Sequence, residues 1–273
     1  MSDTVSIAHL PSRGLIALGG PEWRSFLQGL ITQDVETLAP GEARFGALLT
    51  PQGRLLYDMF VVGREEGAWL DVEAAHRDVI LQRLTMYRLR AKAEISADDT
   101  PVSVRFGGDA PDGAGWVRDP RLPELGWRGY GVDTDTVGET HYHAYRLRLG
   151  VPGPADWGTD KTYPIEANFD LLNGIDFKKG CFVGQETTSR MKRRGVIKSR
   201  MLPIVFDGPA PAHGTEVLNG ELRAGEVLSG GEGRAIALVR LDRALGAALT
   251  VDGRPARVEV PAWMSAAVQE EPA

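Results

Sequence analysis

Cys181 is the single cysteine among 273 residues, and it stands in the octapeptide K-G-C-F-V-G-Q-E at positions 179–186. A thiol in an intracellular chain is a nucleophile, a redox group, a metal ligand or a small buried hydrophobe. Its neighbours favour chemistry. Gly180 and Gly184 let the backbone approach a ligand, Lys178 and Lys179 favour the thiolate, and Gln185 and Glu186 offer polar recognition groups. A second focus is Asp58, an acid interrupting the apolar run L-L-Y-D-M-F-V-V. A buried acid needs a partner. On a rigid strand after a turn at Gly53, its carboxylate can accept from the N–H groups of a heterocycle or take a proton.

Other thiol chemistries find less support. A structural zinc or iron-sulfur site takes about four Cys or His ligands, and the chain has five histidines without ligand spacing. His141 and His143 suit one face of a strand, but no third ligand lies close in sequence. No metal is therefore expected within the chain, while Cys181 remains available as one ligand of a cluster shared with a partner. A thiol hydrolase would need a histidine and an orienting acid, and none of the histidines sits in a recognisable motif.

The elements that must position these residues fall into two textures. Pro21 opens an amphipathic helix carrying Trp23, Phe26, Leu27, Leu30 and Ile31 on one face. Residues 45–50, 55–63 and 68–73 read as strands, and "AAHRDVILQRLTMYRLR" as a helix burying Val79, Ile80, Leu84 and Tyr87. With strands at "AEIS" and "VSVRFG" this predicts a helix on an antiparallel sheet. Gly107 to Gly138 reads as loop with short strands around Trp116 and Tyr130, and "HAYRLRLGVP" fits helix or strand. From Met201 the texture is all-β, with hairpin turns at Asn219-Gly220 and Asp252-Gly253 and a frayed tail at "AAVQEEPA".

Composition sets the outer limits. At 42% hydrophobic and 25% charged residues, with no apolar run approaching membrane length and no signal-peptide layout at the N-terminus, a soluble globular protein is expected. One cysteine forms no internal disulfide, so a cytoplasmic location is expected, or a mitochondrial matrix if the source is eukaryotic. The net charge of -6 argues against general nucleic-acid binding. Locally, however, Lys178, Lys179, Arg190, Lys192, Arg193, Arg194, Lys198 and Arg200 face only Glu186, which points to an anionic ligand or partner. With no coiled coil or large apolar edge, a monomer is the default.

In order and spacing, "FLQGLITQDV", "LTPQGRLLYD", "RLRLGVP", "YPIEANFDLLNGIDFKKGCFVGQE" and the β-rich C-terminus resemble the folate-binding YgfZ/Iba57 family, related to the glycine-cleavage T-protein aminomethyltransferase. The resemblance covers nearly the whole chain, and K-G-C-[FY]-x-G-Q-E is its most specific part.

The resemblance implies an α+β fold: a three-domain cloverleaf around a central tetrahydrofolate channel. Residues 1–52 with 140–200 would form a discontinuous folate-binding domain, 53–139 a ferredoxin-like domain and 201–273 a C-terminal β-barrel. It implies tetrahydrofolate as cofactor, contacted by Asp58, Glu166, Arg146, Lys179, Gly180, Gly184, Gln185 and Glu186. Cys181 would be the redox or cluster-contacting atom. The implied role is an accessory factor in assembly or repair of [4Fe-4S] proteins, with iron-sulfur carrier or client proteins as partners and no membrane. That is not a classical enzyme. A one-carbon transferase of the T-protein type and a non-catalytic folate module are the alternatives. T-proteins share an acid at the place of Asp58 and T-P-L-E-A-G at the place of Glu166. They also carry G-Y-T-G-E where this chain has "GWRGYGVD", and an arginine where it has Tyr142, and they lack the cysteine octapeptide. These departures favour folate binding with different chemistry.

Overall fold

The computed structural model describes residues 5–132, 134–195 and 197–269. The chain forms two compact units, one from Met1–Tyr142 with Leu172–Gln185 and the other from His143–Leu171 with Glu186–Ala273.

The first unit holds two antiparallel sheets. One contains β2 (Arg13–Gly19), β3 (Ala43–Leu49), β4 (Leu55–Gly63), β5 (Ala68–Glu73) and β6 (Glu94–Asp98) in the order β3-β4-β5-β2-β6. The other contains β1 (Ser6–His9), β7 (Val102–Phe106), β8 (Trp116–Arg118) and β9 (Trp127–Tyr130) in the order β1-β7-β9-β8. The expected division between residues 52 and 53 falls inside the β3–β4 hairpin, where Leu49 pairs with Leu55. Side chains alternate along β4. Tyr57, Met59 and Val61 join an aliphatic core with Ile16, Leu70 and Val72, under α1 (Trp23–Gln28) and α2 (Arg77–Arg88). From α1 and the turn after it, Trp23, Leu27 and Ile31 are buried in that core and Phe26 and Leu30 partly so. On α2, only Ile80 and Leu84 are buried, whereas Val79 and Tyr87 are each 41% exposed. Two residues at i and i+4 define the stripe that faces the sheet. Val79 is turned about 100° from Ile80, so it points aside.

The other face of β4 carries Asp58 and Phe60, and there the side chains of the two sheets meet. Trp69 of β5 stacks on Tyr130 of β9 with centroids 5.7 Å apart.

In the second unit β10 (Ser199–Phe206), β11 (Glu216–Asn219), β12 (Leu222–Gly231), β13 (Arg234–Arg240), β14 (Leu249–Val251) and β15 (Arg254–Val258) close a six-stranded barrel in the order β10-β13-β12-β11-β14-β15. The Asp252-Gly253 turn forms as expected, with φ of 51° and 71° supplying the two left-handed residues of a type I′ hairpin. At the other hairpin Asn219 is itself paired, with Leu222, so the loop residues are Gly220 and Glu221, one position later than the dipeptide implied. The helices are α3 (Glu139–Arg148), which crosses the division, α4 (Pro154–Trp157), α5 (Gln185–Arg194), α6 (Leu241–Ala244) and α7 (Ser265–Gln269). α7 corrects the expected frayed tail: Val268, 7% exposed, packs into the barrel core, and residues 270–273 lie outside the described residues. α3 also corrects the strand reading of His141 and His143. On a helix, residues two apart point to opposite sides.

Candidate functional site

Cys181 is exposed, on a segment whose flanks are tied to one short stretch of chain after α1. Asp176 N donates to Thr32 O at 2.9 Å, and Val183 N donates to Gly29 O at 3.3 Å. Between them Lys179 turns inward. Its Nζ donates to Gln28 O and Ile31 O at 2.8 Å and to Gln33 O at 2.7 Å, the first a carbonyl that the end of α1 leaves without a helical partner and the others in the turn that follows. An ammonium has three hydrogens, and all three are used. The expectation that Lys179 meets a ligand is therefore corrected: it is a staple between the octapeptide and the α1 exit. Burial pushes its pKa down to about 8, against the attraction of Asp34, Asp176 and Glu36.

The two glycines of the octapeptide differ. Gly184 has φ +80°, and a Cβ there would lie 2.6 Å from Thr50 O in the β3–β4 turn, so the residue is glycine because two backbones touch. It seats the loop on the hairpin rather than opening it to a ligand. Gly180 has nothing within 4 Å of where a Cβ would be. Beside it Phe182 is buried, with the Lys179 ammonium 5.4 Å above its ring, so the segment alternates an inward anchor with an outward thiol. Gln185 opens α5 and Glu186, exposed in its first turn, is 2.5 Å from Arg190.

The hairpin that receives Gly184 also carries Asp58. Ala47 pairs with Asp58 across β3 and β4. Thr32 Oγ1 accepts from Ala47 N at 2.9 Å and donates to Gly174 O at 2.6 Å, linking that rung to the segment leading into the octapeptide. Asp58 is 5% exposed, and the partner its burial requires is Arg13, whose Nη1 lies 3.3 Å from Oδ2. Oδ1 has no hydrogen bond among the described residues and is not sealed from solvent.

Arg13 opens a larger buried network that the sequence did not single out. Its Nε donates to Asp71 Oδ1 at 2.6 Å, Arg128 Nη2 to Asp71 Oδ2 at 2.5 Å, and Tyr130 Oη to the same oxygen at 2.9 Å. Arg121 forms a two-point pair with Asp119, at 3.0 and 2.7 Å, and donates to Tyr142 Oη at 3.0 Å. Three guanidinium groups surround the ring of Phe60: Arg128 at 3.9 Å, Arg121 at 4.8 Å and Arg13 at 5.5 Å. Burial alone would raise the pKa of Asp71, but Arg128 and Arg13 outweigh it and hold the carboxyl below its usual range. Burial and Asp71 together push the Tyr130 phenol well up, so it stays a donor. "GWRGYGVD", read only as a stretch without the expected acid, thus contributes Arg128 and Tyr130 to this layer, while its Asp133 lies outside the described residues.

Glu166 and Arg146 belong to the second unit. Glu166 Oε2 accepts from Tyr163 N at 3.0 Å, and its carbonyl accepts from Met201 N at 2.8 Å, tying the "YPIEAN" loop to β10. Arg146 is buried, donates to Val151 O, and lies 3.5 Å from Asp156 Oδ2. Its guanidinium packs over Gly153, where a Cβ would come within 2.8 Å. Through Nη1 Arg146 is thus an internal tie, while Nε and Nη2 have no hydrogen-bond partner among the described residues. In the basic stretch, Arg200 is also consumed, buried against Asp170 at 3.0 Å, while Lys178, Arg193, Arg194 and Lys198 are exposed. Among the described residues no group of three or more His, Cys, Asp and Glu is placed to hold a metal ion, and no helix is long and apolar enough to cross a membrane.

Residues 198–266, the barrel, match the family described as CAF17, C-terminal beta-barrel domain. Over 299 residues the chain is 32% identical to the mitochondrial iron-sulfur cluster assembly factor IBA57 homolog of Pyricularia oryzae, covering 93% of this chain and 76% of that protein. The chain belongs to the IBA57 family. A second IBA57, from Mus musculus, is 30% identical over 246 residues, covering 76% of this chain and 68% of the mouse protein. The chain spans 55% of the length of the IBA57 homologs from Neurospora crassa and Phaeosphaeria nodorum. These IBA57 relatives are named mitochondrial, and the cytoplasmic location expected above has no support among them. In fold, the chain matches a solved glycine cleavage system aminomethyltransferase T from Bartonella henselae with a TM-score of 0.78. That match, at 17% identity, covers 96% of this chain and 86% of that one. The T-protein-like α+β fold and IBA57 membership read from the sequence both stand.

Proposed function

We propose that this chain is a tetrahydrofolate-binding accessory factor in the assembly or repair of [4Fe-4S] proteins, with Cys181 as the atom that meets the cluster or its carrier. The relatives named as iron-sulfur cluster assembly factors support the general role. The observation that carries the reading is the thiol's mounting. Cys181 faces solvent from a segment fixed by the Lys179 staple, by backbone bonds at Asp176 and Val183, and by Gly184 against the hairpin. A thiol needed only for packing would be turned inward, as Phe182 is. A thiol held outward on a rigid platform suits exchange with a partner's cluster, since positioning by rigid elements is what a transfer site requires.

For folate, the fit of the residues is selective. Asp58 fits, because Oδ1 is reachable and Arg13 keeps the carboxylate oriented through Oδ2. Lys179 does not, because its three donors are spent inside the protein, whereas Arg146 uses only Nη1 internally. Asp58 would accept a hydrogen bond from an N–H of the bound folate, and a reduced folate supplies one-carbon or electron-donating chemistry when bound. The protein's own contribution is to hold that carboxylate aimed, through Arg13. In the second unit, the exposed Arg193, Arg194 and Lys198 attract an acidic partner or a polyglutamate tail.

The test is anaerobic cluster reconstitution on an A-type carrier, comparing the parent chain with Cys181→Ala. The parent is expected to hold a cluster jointly with the carrier, and the variant to lose it while keeping its circular dichroism spectrum. Equal cluster retention by both would remove Cys181 from the role.

A further inference from the structure

In the first unit, a cleft of about 560 Å³ lies between the edges of its two sheets, lined by Ala43 to Phe45 of β3 and Trp116 to Arg118 of β8. β8 is the last strand of its sheet. Tyr130 N donates to Gly115 O, and Asp119 N donates to Gly126 O. In an antiparallel ladder this alternation turns the backbone groups of Val117 toward β9 and those of Trp116 and Arg118 outward. Among the described residues, no backbone hydrogen bond from another element reaches these two. An unpaired edge of this kind is a template for one more strand.

The side chains make the edge selective. Trp116 and Arg118 share a face with their cross-strand partners Gly129 and Trp127. A Cβ at Gly129 would lie 2.7 Å from the Trp116 ring, so the indole rests across bare backbone. Trp116 and Trp127 are half-buried, and Arg118 is exposed. Arg118 also makes no hydrogen bond or ion pair among the described residues. The cleft's other arginines are neutralised, Arg44 by Glu42 at 3.3 Å and Arg121 by Asp119. Arg118 is therefore an exposed cation with no counter-charge among the described residues, on the sheet face it shares with two indoles and beside outward-turned main-chain donors and acceptors.

We propose that the β8 edge docks an extended acidic peptide of a partner protein. The peptide adds a strand to β8 through Trp116 and Arg118, sets a carboxylate against the Arg118 guanidinium, and lays an apolar side chain on Trp116 and Trp127. Carboxylate and apolar residue must be two apart, so that both fall on the indole face. The site is independent of Cys181 and of folate.

The experiment titrates the full-length chain with a blocked hexapeptide, Ac-Thr-Phe-Thr-Glu-Thr-Glu-NH2, by calorimetry and by amide NMR. Two control peptides are used, one with Lys for Glu and one N-methylated at alternate residues. Expected are micromolar binding of the acidic peptide, amide shifts at Trp116 and Arg118, and at least about a tenfold loss with the lysine peptide or with Arg118→Glu. The N-methylated peptide should not bind, because it cannot pair. Equal binding of the N-methylated peptide would overturn strand addition. Absence of binding by the acidic peptide would overturn the proposal. So would an Arg118→Ala variant that self-associates while the parent binds no peptide, since Arg118 would then be a guard of the edge.

Discussion

Asp58 is held by Arg13 from one side only, with Nη1 3.3 Å from Oδ2 and Oδ1 left without a hydrogen-bond partner among the described residues. The pairing fixes the direction of the carboxylate and leaves its second oxygen for recognition. Asp58→Asn keeps the shape but removes the charge. Tetrahydrofolate affinity, by calorimetry, is expected to fall at least about tenfold, since a hydrogen bond to a charged group contributes about 1.5–3 kcal/mol and each 1.4 kcal/mol is about tenfold. Unchanged affinity in a folded variant would place the folate elsewhere.

Asp71 stands differently, fully buried beneath two arginines and a tyrosine. Asp71→Asn leaves Arg13 and Arg128 short of their counter-charge, and removing one member of a buried pair typically costs about 3–5 kcal/mol. A drop of that size in urea unfolding is expected. The pH dependence follows from the depressed carboxyl. Its contribution is fully present above the unfolded-state value of about 4 and is lost as pH falls through the lower folded value. The parent's melting temperature should therefore fall more steeply below about pH 4 than the variant's.

Lys179 titrates in the opposite setting. Its folded value of about 8 lies below the ordinary 10.5, so the unfolded chain binds the proton more tightly across that window. Raising the pH from 8 toward 10.5 therefore relieves a penalty that is fully present below 8. Competitive acetylation followed by mass spectrometry should show Lys179 half-reactive near pH 8 and the exposed lysines only above 10. Lys179→Met should speed amide exchange across residues 176–184, because three carbonyls lose their donor.

Gly184→Ala tests the seat of the loop. With φ at +80° and Thr50 O 2.6 Å from the new methyl, the variant must move one backbone off the other. A destabilisation of at least about 1–2 kcal/mol is expected, with changed thiol reactivity at Cys181 toward a soluble disulfide. Unchanged reactivity would show that the hairpin does not position the thiol.

The barrel, the antiparallel sheet with its helix, and one of the two hairpin turns were legible because each depends on local periodicity and turn chemistry. The buried arginines were not. Arg13 and Asp71 are 58 positions apart, and Arg128 and Asp71 are 57 apart, so no spacing connects them. Alternation along β9 assigns Arg128 to a polar face, and only the facing five-stranded sheet turns that face inward. One signal was available: Asp71 interrupts "AWLDVE" as Asp58 interrupts "LLYDMFVV", and an acid within an apolar strand implies a buried cation somewhere. Lys179 was misread for a different reason. Its partners are main-chain carbonyls of residues 28, 31 and 33, which carry no side-chain signature.

The same staple orders events during synthesis. The carbonyls at residues 28–33 leave the ribosome about 150 residues before the lysine that binds them, and closing so long a loop is slow. A nascent chain arrested anywhere before residue 179 has its α1 exit uncovered, and the cysteine has not yet been made. The thiol therefore receives its mounting only when the first unit is completed by its own late segment. A chain that ends before residue 179 carries neither the staple nor the thiol that it mounts.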